Sequence, residues 1–196
     1  MYLQIKTYSI FLVLCTLALN NLYAQKENQN SNSVEIGFIV AGNEGIYYGG
    51  YGKFTMPLSQ TKHYFTLGAS LTSYFDFKGE STSEAYLKND VDMRVLPNLV
   101  AGYSLNFKKF QLNLEIPIGL SIAITKGTLV NEKIGFEREY SNKESFFNYG
   151  IALAPKYKIN EKNLIGMYGF LPLVSDKAQS GYQFGVNWTM IFGKNN

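Results

Sequence analysis

The chain has 196 residues, with 18 basic and 15 acidic side chains, one His, one Cys, 15 Tyr, 14 Phe and one Trp. That length holds one domain, and charged residues at 17% fall well below the roughly 25% of an ordinary soluble domain. A formal charge of +3 is too small and too scattered for nucleic acid, one Cys excludes an intrachain disulfide, and one Cys with one His argues against a zinc site.

Residues 1–24 read as a signal peptide: Lys6 supplies the positive start, Ser9 to Leu19 the apolar run, and Leu22-Tyr23-Ala24 the cleavage site. The apolar run is too short for a membrane-spanning helix, which needs about 20 residues. Residues 25–32 are polar and Asn-rich and read as a flexible arm. From 33 to 192 the pattern has period two, which is the period of a strand with unlike faces. Between Phe110 and Thr125, for example, Phe110, Leu112, Leu114, Ile116, Ile118, Leu120, Ile122 and Ile124 occupy every second position. Strands are expected at 33–41, 46–56, 64–77, 93–107, 110–125, 146–159, 164–174 and 181–192, eight in all.

Their length decides the class. Strands of globular domains run about 5–6 residues, whereas a tilted strand crossing an outer membrane needs about 9–11. Short links at 57–63, 108–109 and 160–163 alternate with smaller links at 42–45 and 175–180 and with long charged segments at 78–92 and 126–145, as the periplasmic turns and external loops of such barrels do. The expected fold is all-β, an eight-stranded antiparallel up-and-down transmembrane β-barrel, with both termini on the short-turn side. A soluble lipocalin-like barrel shares the alternation with opposite polarity. Strand length, a lumen phase rich in Gly, Ser, Thr and Asn, and aromatics at strand ends favour the membrane. Phe54, Tyr64, Phe107, Phe110, Tyr157 and Phe192 form the expected lower girdle, and Tyr48, Phe75, Phe147 and Tyr182 the upper one.

This pattern resembles the broad family of small outer-membrane β-barrel proteins, porin-like barrels of Gram-negative bacteria. The most specific part of the resemblance is the last strand, Gly181-Tyr182-Gln183-Phe184-Gly185-Val186-Asn187-Trp188-Thr189-Met190-Ile191-Phe192, with Gly193-Lys194-Asn195-Asn196 following the final aromatic. The resemblance implies an outer-membrane location, contact with its lipids, and engagement of the barrel insertion machinery through residues 181–192.

Placing the polar phase inward puts one glycine per strand in the lumen, namely Gly37, Gly49, Gly68, Gly102, Gly119, Gly150, Gly169 and Gly185. It also puts six long charged side chains there: Glu35, Lys53, Asp76, Arg94, Glu115 and Lys156. Buried charges are costly unpaired. Pairing Ala41 with Tyr47 sets Glu35 opposite Lys53, and pairing Tyr64 with Asn106 sets Asp76 opposite Arg94. Glu115 and Lys156 fall at a similar level. Such a network is an ion-selective constriction or, favoured in so narrow a barrel, a plug.

No catalytic constellation is found. His63 lies on a short turn, far from any outer-leaflet Ser, and reads as a solvated polar residue; Gly49-Gly50-Tyr51-Gly52-Lys53 lacks the helix and Ser/Thr of a phosphate loop. The acids Glu80, Glu84, Asp90 and Asp92 are too irregularly spaced for a calcium loop. No enzyme activity, cofactor or metal is expected. Pro97 and Pro117, with Pro155 and Pro172, fall within strands and forfeit ladder hydrogen bonds. Folding about Lys108-Lys109 sets Pro97 opposite Leu120 and Pro117 opposite Val100, which reads as a pair of bulges or, more sharply, as a lateral weak point. The expected role is a plugged barrel with a structural or surface-interaction function carried by its long loops. The alternative is a small transporter, a narrow ion pore or a lateral path for apolar solutes.

Overall fold

The computed structural model describes residues 31–42, 46–59, 61, 63–77, 85–173 and 181–192. The signal-peptide reading of 1–24 and most of the arm lie outside that range. Eight strands follow in order: β1 (Asn32–Gly42), β2 (Ile46–Pro57), β3 (His63–Phe77), β4 (Ala85–Asn106), β5 (Phe110–Asn131), β6 (Phe136–Lys158), β7 (Asn163–Pro172) and β8 (Tyr182–Phe192). Each pairs antiparallel with its sequence neighbour, and β8 returns to β1, so the sheet closes. Closure removes the sheet edges that could not survive in lipid.

The strands are staggered as they go round. From Pro57 the ladder runs through Thr66, Gly102, Glu115, Ala152, Phe170 and Gln183 to Ala41. The β1–β2 register, continued from Ser33↔Thr55, would bring Pro57 to Ser31 instead. The circuit therefore climbs by ten residues, the kind of shear that forces strands to tilt roughly 35–45° from the barrel axis.

Three strands depart from expectation. β4, β5 and β6 run to 22, 22 and 23 residues, so residues 85–92 of the loop expected at 78–92, and most of the loop expected at 126–145, are strand. They were invisible to hydropathy for a physical reason. Beyond the membrane both faces of a sheet meet water, so nothing requires apolar and polar residues to alternate. The β5–β6 connection is a single 3₁₀ turn, Glu132–Ile134, closed by Gly135 at φ 61°, a left-handed conformation that suits a residue without a Cβ.

The outward phase carries an apolar wall. Ile36, Phe38, Leu71, Leu99, Leu114, Ile116, Ile151, Leu153, Ile165, Met167, Phe184 and Val186 all expose their side chains. So large an exposed apolar surface has no account in water and a simple one in a bilayer. Phe54, Phe107, Phe110, Tyr157 and Phe192 belong to the lower girdle as expected, and Tyr48, Phe147 and Tyr182 to the upper. Tyr64 does not. It shares the inward phase of β3 with Thr66 and lines the lower mouth. Trp188, also outward, donates Nε1–H to Asn163 Oδ1 at 3.1 Å.

Candidate functional site

The inward phase brings the lumen residues together in layers. Toward the short turns lies an ionic layer built from four strands. Glu35 on β1 and Lys53 on β2 face each other across the ladder, as expected, with Lys53 Nζ 3.0 Å from Glu35 Oε2. Lys53 also donates to both oxygens of Glu115 on β5, at 2.7 and 2.9 Å. Lys156 on β6 pairs with Glu35. The carboxylate of Glu35 accepts from the Tyr51 hydroxyl and from Asn187 Nδ2 at 2.8 Å. Two acids and two bases thus balance within one layer, all four nearly excluded from solvent, which is the arrangement that makes buried charge tolerable. Below it Asn113 touches Glu115 at 3.4 Å and accepts from Ser104 Oγ and Gln111 Nε2 at 2.8 and 2.9 Å.

An aromatic layer sits above. Tyr51 and Tyr168 stack with ring centroids 4.8 Å apart, and Lys53 Nζ lies 5.9 Å from the Tyr168 ring. Ile39, Leu96, Ala152, Ala154 and Phe170 complete a buried cluster with them. Higher still, Tyr47 and Tyr74 meet edge-on at 5.5 Å. Tyr47 donates to Asp92 Oδ2 at 3.1 Å, and Arg94 Nη2 pairs with the same oxygen at 3.1 Å. Among the described residues, Nε and Nη1 of Arg94 and the other oxygen of Asp92 are buried without a hydrogen-bond partner. The charge layer is therefore saturated near the turns and incompletely satisfied near the outer end.

Several sequence expectations change here. Asp76 lies opposite Asp92, not Arg94, because Tyr64 pairs with Ser104 rather than Asn106 and the whole β3–β4 register moves by two. Arg94 finds its acid on its own strand, two residues away. Glu115 and Lys156 sit in one layer, yet each has its short contact with a different partner. Gly169 faces outward with Met167 and Leu171, and the inward glycine of β7 is Gly166. A Cβ at Gly166 would lie 2.5 Å from the Pro155 carbonyl and 2.8 Å from Lys156 Cγ, so the close approach of β6 and β7 needs it. The inward tyrosines went unread because apolar and polar residues were assigned to opposite faces. Tyr47 and Tyr51 nevertheless share the phase of Lys53, and that shared phase could have placed them.

The prolines interrupt the ladders without bulging them. The β4–β5 pairs step from Val95↔Ile122 to Asn98↔Gly119, leaving Pro97 at the level of Leu120 in unchanged register. Val100↔Pro117 pairs as expected, but on its other side Pro117 falls in a gap between Glu115↔Ala152 and Ile118↔Tyr149. The β6–β7 ladder skips Pro155 in the same way. The β4–β5 register shifts between Lys88 and Val91, away from both prolines, so neither proline forms the expected bulge. His63 is also more than a solvated residue: its Nδ1 accepts the Asn106 N–H at 3.1 Å and ties β3 to the start of the next turn.

Above the barrel β4, β5 and β6 continue as a three-stranded sheet. β3 leaves β4 at Phe77↔Val91, and the β6–β7 ladder reaches Pro172↔Gly150, while β5 and β6 pair on to Asn131↔Phe136. Exposed Phe136, Tyr140 and Ile134 share this extension with Lys126, Arg138, Lys143, Glu137, Glu139 and Glu144. Among the described residues no group of three or more His, Cys, Asp or Glu is placed to hold a metal ion.

No protein-family model matches the chain, and no curated protein matches it. Solved structures do. Ail, the attachment invasion locus protein of Yersinia pestis, superposes with a TM-score of 0.52 at 12% identity, over 85% of this chain and 99% of that one. The same protein in complex with the heparin analogue sucrose octasulfate gives 0.51 at 11% identity, over 85% and 99%. Neisserial surface protein A gives 0.50 at 10% identity, over 85% and 100%. The fold is that of the small outer-membrane β-barrels. With its apolar wall, aromatic girdles and closed sheet, this barrel is built to sit in lipid.

Proposed function

We propose that this outer-membrane barrel of a Gram-negative bacterium is an anchor rather than a pore: its lumen is plugged, and the β4–β6 extension meets partners outside the cell. Export through the 1–24 signal and insertion through 181–192 belong to the same reading. The observation that carries it is the contrast between the two halves of the molecule. Within the membrane Glu35, Lys53, Glu115 and Lys156 are locked to one another across the lumen, which opposes a water path. Outside it, β6 from Phe136 to about Phe147 has a partner on one side only among the described strands. An unpaired strand offers backbone donors and acceptors to a partner, while charges along it discourage indiscriminate pairing.

Ail has been solved with a heparin analogue, but charge does not favour a sulfated partner here. Lys126, Lys133, Arg138 and Lys143 are interleaved with Glu132, Glu137, Glu139 and Glu144, so the extension offers mixed charge and aromatic rings, a surface better matched to another protein. The test shortens the β5–β6 hairpin by removing 128–139 and joining the strands with Asn-Gly. Cells carrying the shortened chain should lose attachment to immobilised host-surface proteins while the barrel still shows heat-modifiable migration. Purified full-length protein should give no steady conductance in planar bilayers. Discrete channel openings, with attachment unchanged on shortening, would favour the transporter. A lateral route for apolar solutes is the form of transporter with an observation behind it, since Pro97 and Pro117 interrupt neighbouring ladders.

A further inference from the structure

The lower mouth of the barrel is not flat. Below the Asn113 layer the lumen widens into a vestibule of about 680 Å³, walled by the short turns and the ends of all eight strands. The size is that of a site for a small ligand, but such sites are mostly apolar, and about half of this wall is amide, hydroxyl and ammonium groups, set beside Pro57, Leu164 and Ile191. Its charge is one-sided: Lys108, Lys158 and Lys162 against Glu161.

Lys158 is the distinctive member. It is the last residue of β6, in the inward phase of Lys156, and half-buried. Where Lys53 and Lys156 each hold a carboxylate, Lys158 Nζ has only the Phe107 carbonyl at 3.4 Å and no acid among the described residues. A cation partly withdrawn from water without a counter-charge is stabilised by any anion that enters. The surrounding amides are already held in place. Asn160 Oδ1 accepts from the Lys162 N–H and from Asn163 Nδ2, at 2.9 and 3.0 Å, which fixes its own amide group on the turn. Gln111 is fixed by Asn113 at 2.9 Å. Tyr64 adds one aromatic ring, a flat apolar face beside polar groups.

We propose that this vestibule is a binding site for an anionic polyol, a phosphate or carboxylate carried on a sugar or on glycerol, with Lys158 taking the anion and the turn amides the hydroxyl groups. The saturated Glu35–Lys53–Glu115–Lys156 layer closes the inner end, so the ligand is retained rather than passed on. The chemistry has two sources on the lower side of an outer membrane, a soluble acidic sugar and the headgroup of an anionic lipid.

The full mature chain, folded into phosphatidylcholine nanodiscs, would be titrated with glucose 6-phosphate, glucuronate, glucose and inorganic phosphate while amide shifts are followed by NMR. Saturable shifts at Gln111, Lys158 and Asn160–Asn163 are expected with the two sugar acids, with glucose at least tenfold weaker. Lys158→Gln should weaken the sugar acids at least tenfold while leaving heat-modifiable migration unchanged, and Lys162→Gln should weaken them less. In phosphatidylglycerol discs, the same residues shifted before any addition, with the sugar acids displaced, would identify the headgroup as the source. Unshifted spectra there would leave the soluble sugar. Absence of saturable shifts from every anion in both kinds of disc, or an unchanged affinity in Lys158→Gln, would overturn the site. Inorganic phosphate binding as tightly as glucose 6-phosphate would overturn the polyol part.

Discussion

Lys53 holds two carboxylates at once, Glu35 at 3.0 Å and Glu115 at 2.7 and 2.9 Å. At an effective dielectric of about 20, charges ~3 Å apart attract by roughly 5 kcal/mol, offset by the cost of taking each from water. Lys53→Met leaves Glu35 with Lys156 but Glu115 with only Asn113 at 3.4 Å. The barrel should then lose about 3–5 kcal/mol, the cost of a stranded buried charge. The second-site partner is what tests the geometry. Lys53→Met with Glu115→Gln and Lys53→Met with Glu35→Gln leave the same net charge in the lumen. The first keeps the Glu35–Lys156 pair and should recover most of the loss. The second strands Glu115 and Lys156 away from their short contacts and should recover about 2 kcal/mol less. Urea unfolding in phosphatidylcholine vesicles would measure this through gel migration and through the fluorescence of Trp188, the only tryptophan, which lies on the lipid side. Equal recovery by the two double variants would refute the partner assignment, and additivity would show that the groups do not interact.

Glycine at 119 permits a close strand approach, since a Cβ there would lie 2.0 Å from the Pro97 carbonyl; Gly119→Ala should cost about 1–3 kcal/mol in the same assay. Gly52→Ala, where a Cβ meets nothing within 4 Å, should cost far less, and similar losses would refute the approach. Pro97→Val and Pro117→Thr each restore a ladder donor without changing register, so each should stabilise by about 0.5–1.5 kcal/mol and slow amide exchange between 99 and 119; destabilisation would show the register to be wrong. Trypsin added to intact cells should cut first at Lys133, exposed in the 3₁₀ turn, and spare Lys108, Lys109 and Lys162. First cleavage in the short turns would invert the orientation.

What could be read in advance follows from where water is. Inside the membrane each strand separates lipid from lumen, and the contrast writes period two into β1, β3, β5 and β8. Register was legible where a tight turn fixes it, as between β4 and β5 through Lys108-Lys109, which sets Val100 against Pro117. β3 and β4 are joined by a longer connection that imposes no register, and there the pairing was displaced by two. The Glu35–Lys53 contact was legible from a short connection. Its extension to Glu115 and Lys156 crosses the barrel, and no sequence spacing encodes a contact made through the lumen.

The three long strands give the barrel a front and a back. β6 runs about fourteen residues beyond Gly150, its last partner for β7. At ~3.3 Å per residue and a tilt of roughly 40°, that is on the order of 35 Å of height, comparable to the hydrocarbon thickness of the bilayer beneath it. A molecule diffusing in the membrane meets strands of ordinary length on the β7–β8–β1 side and a tall sheet on the other. Neighbouring barrels can therefore crowd against one flank while the opposite flank holds them off. In the proposed orientation, contacts at the tip are made well above the headgroups, where the approach of another cell rather than of another lipid determines what arrives first.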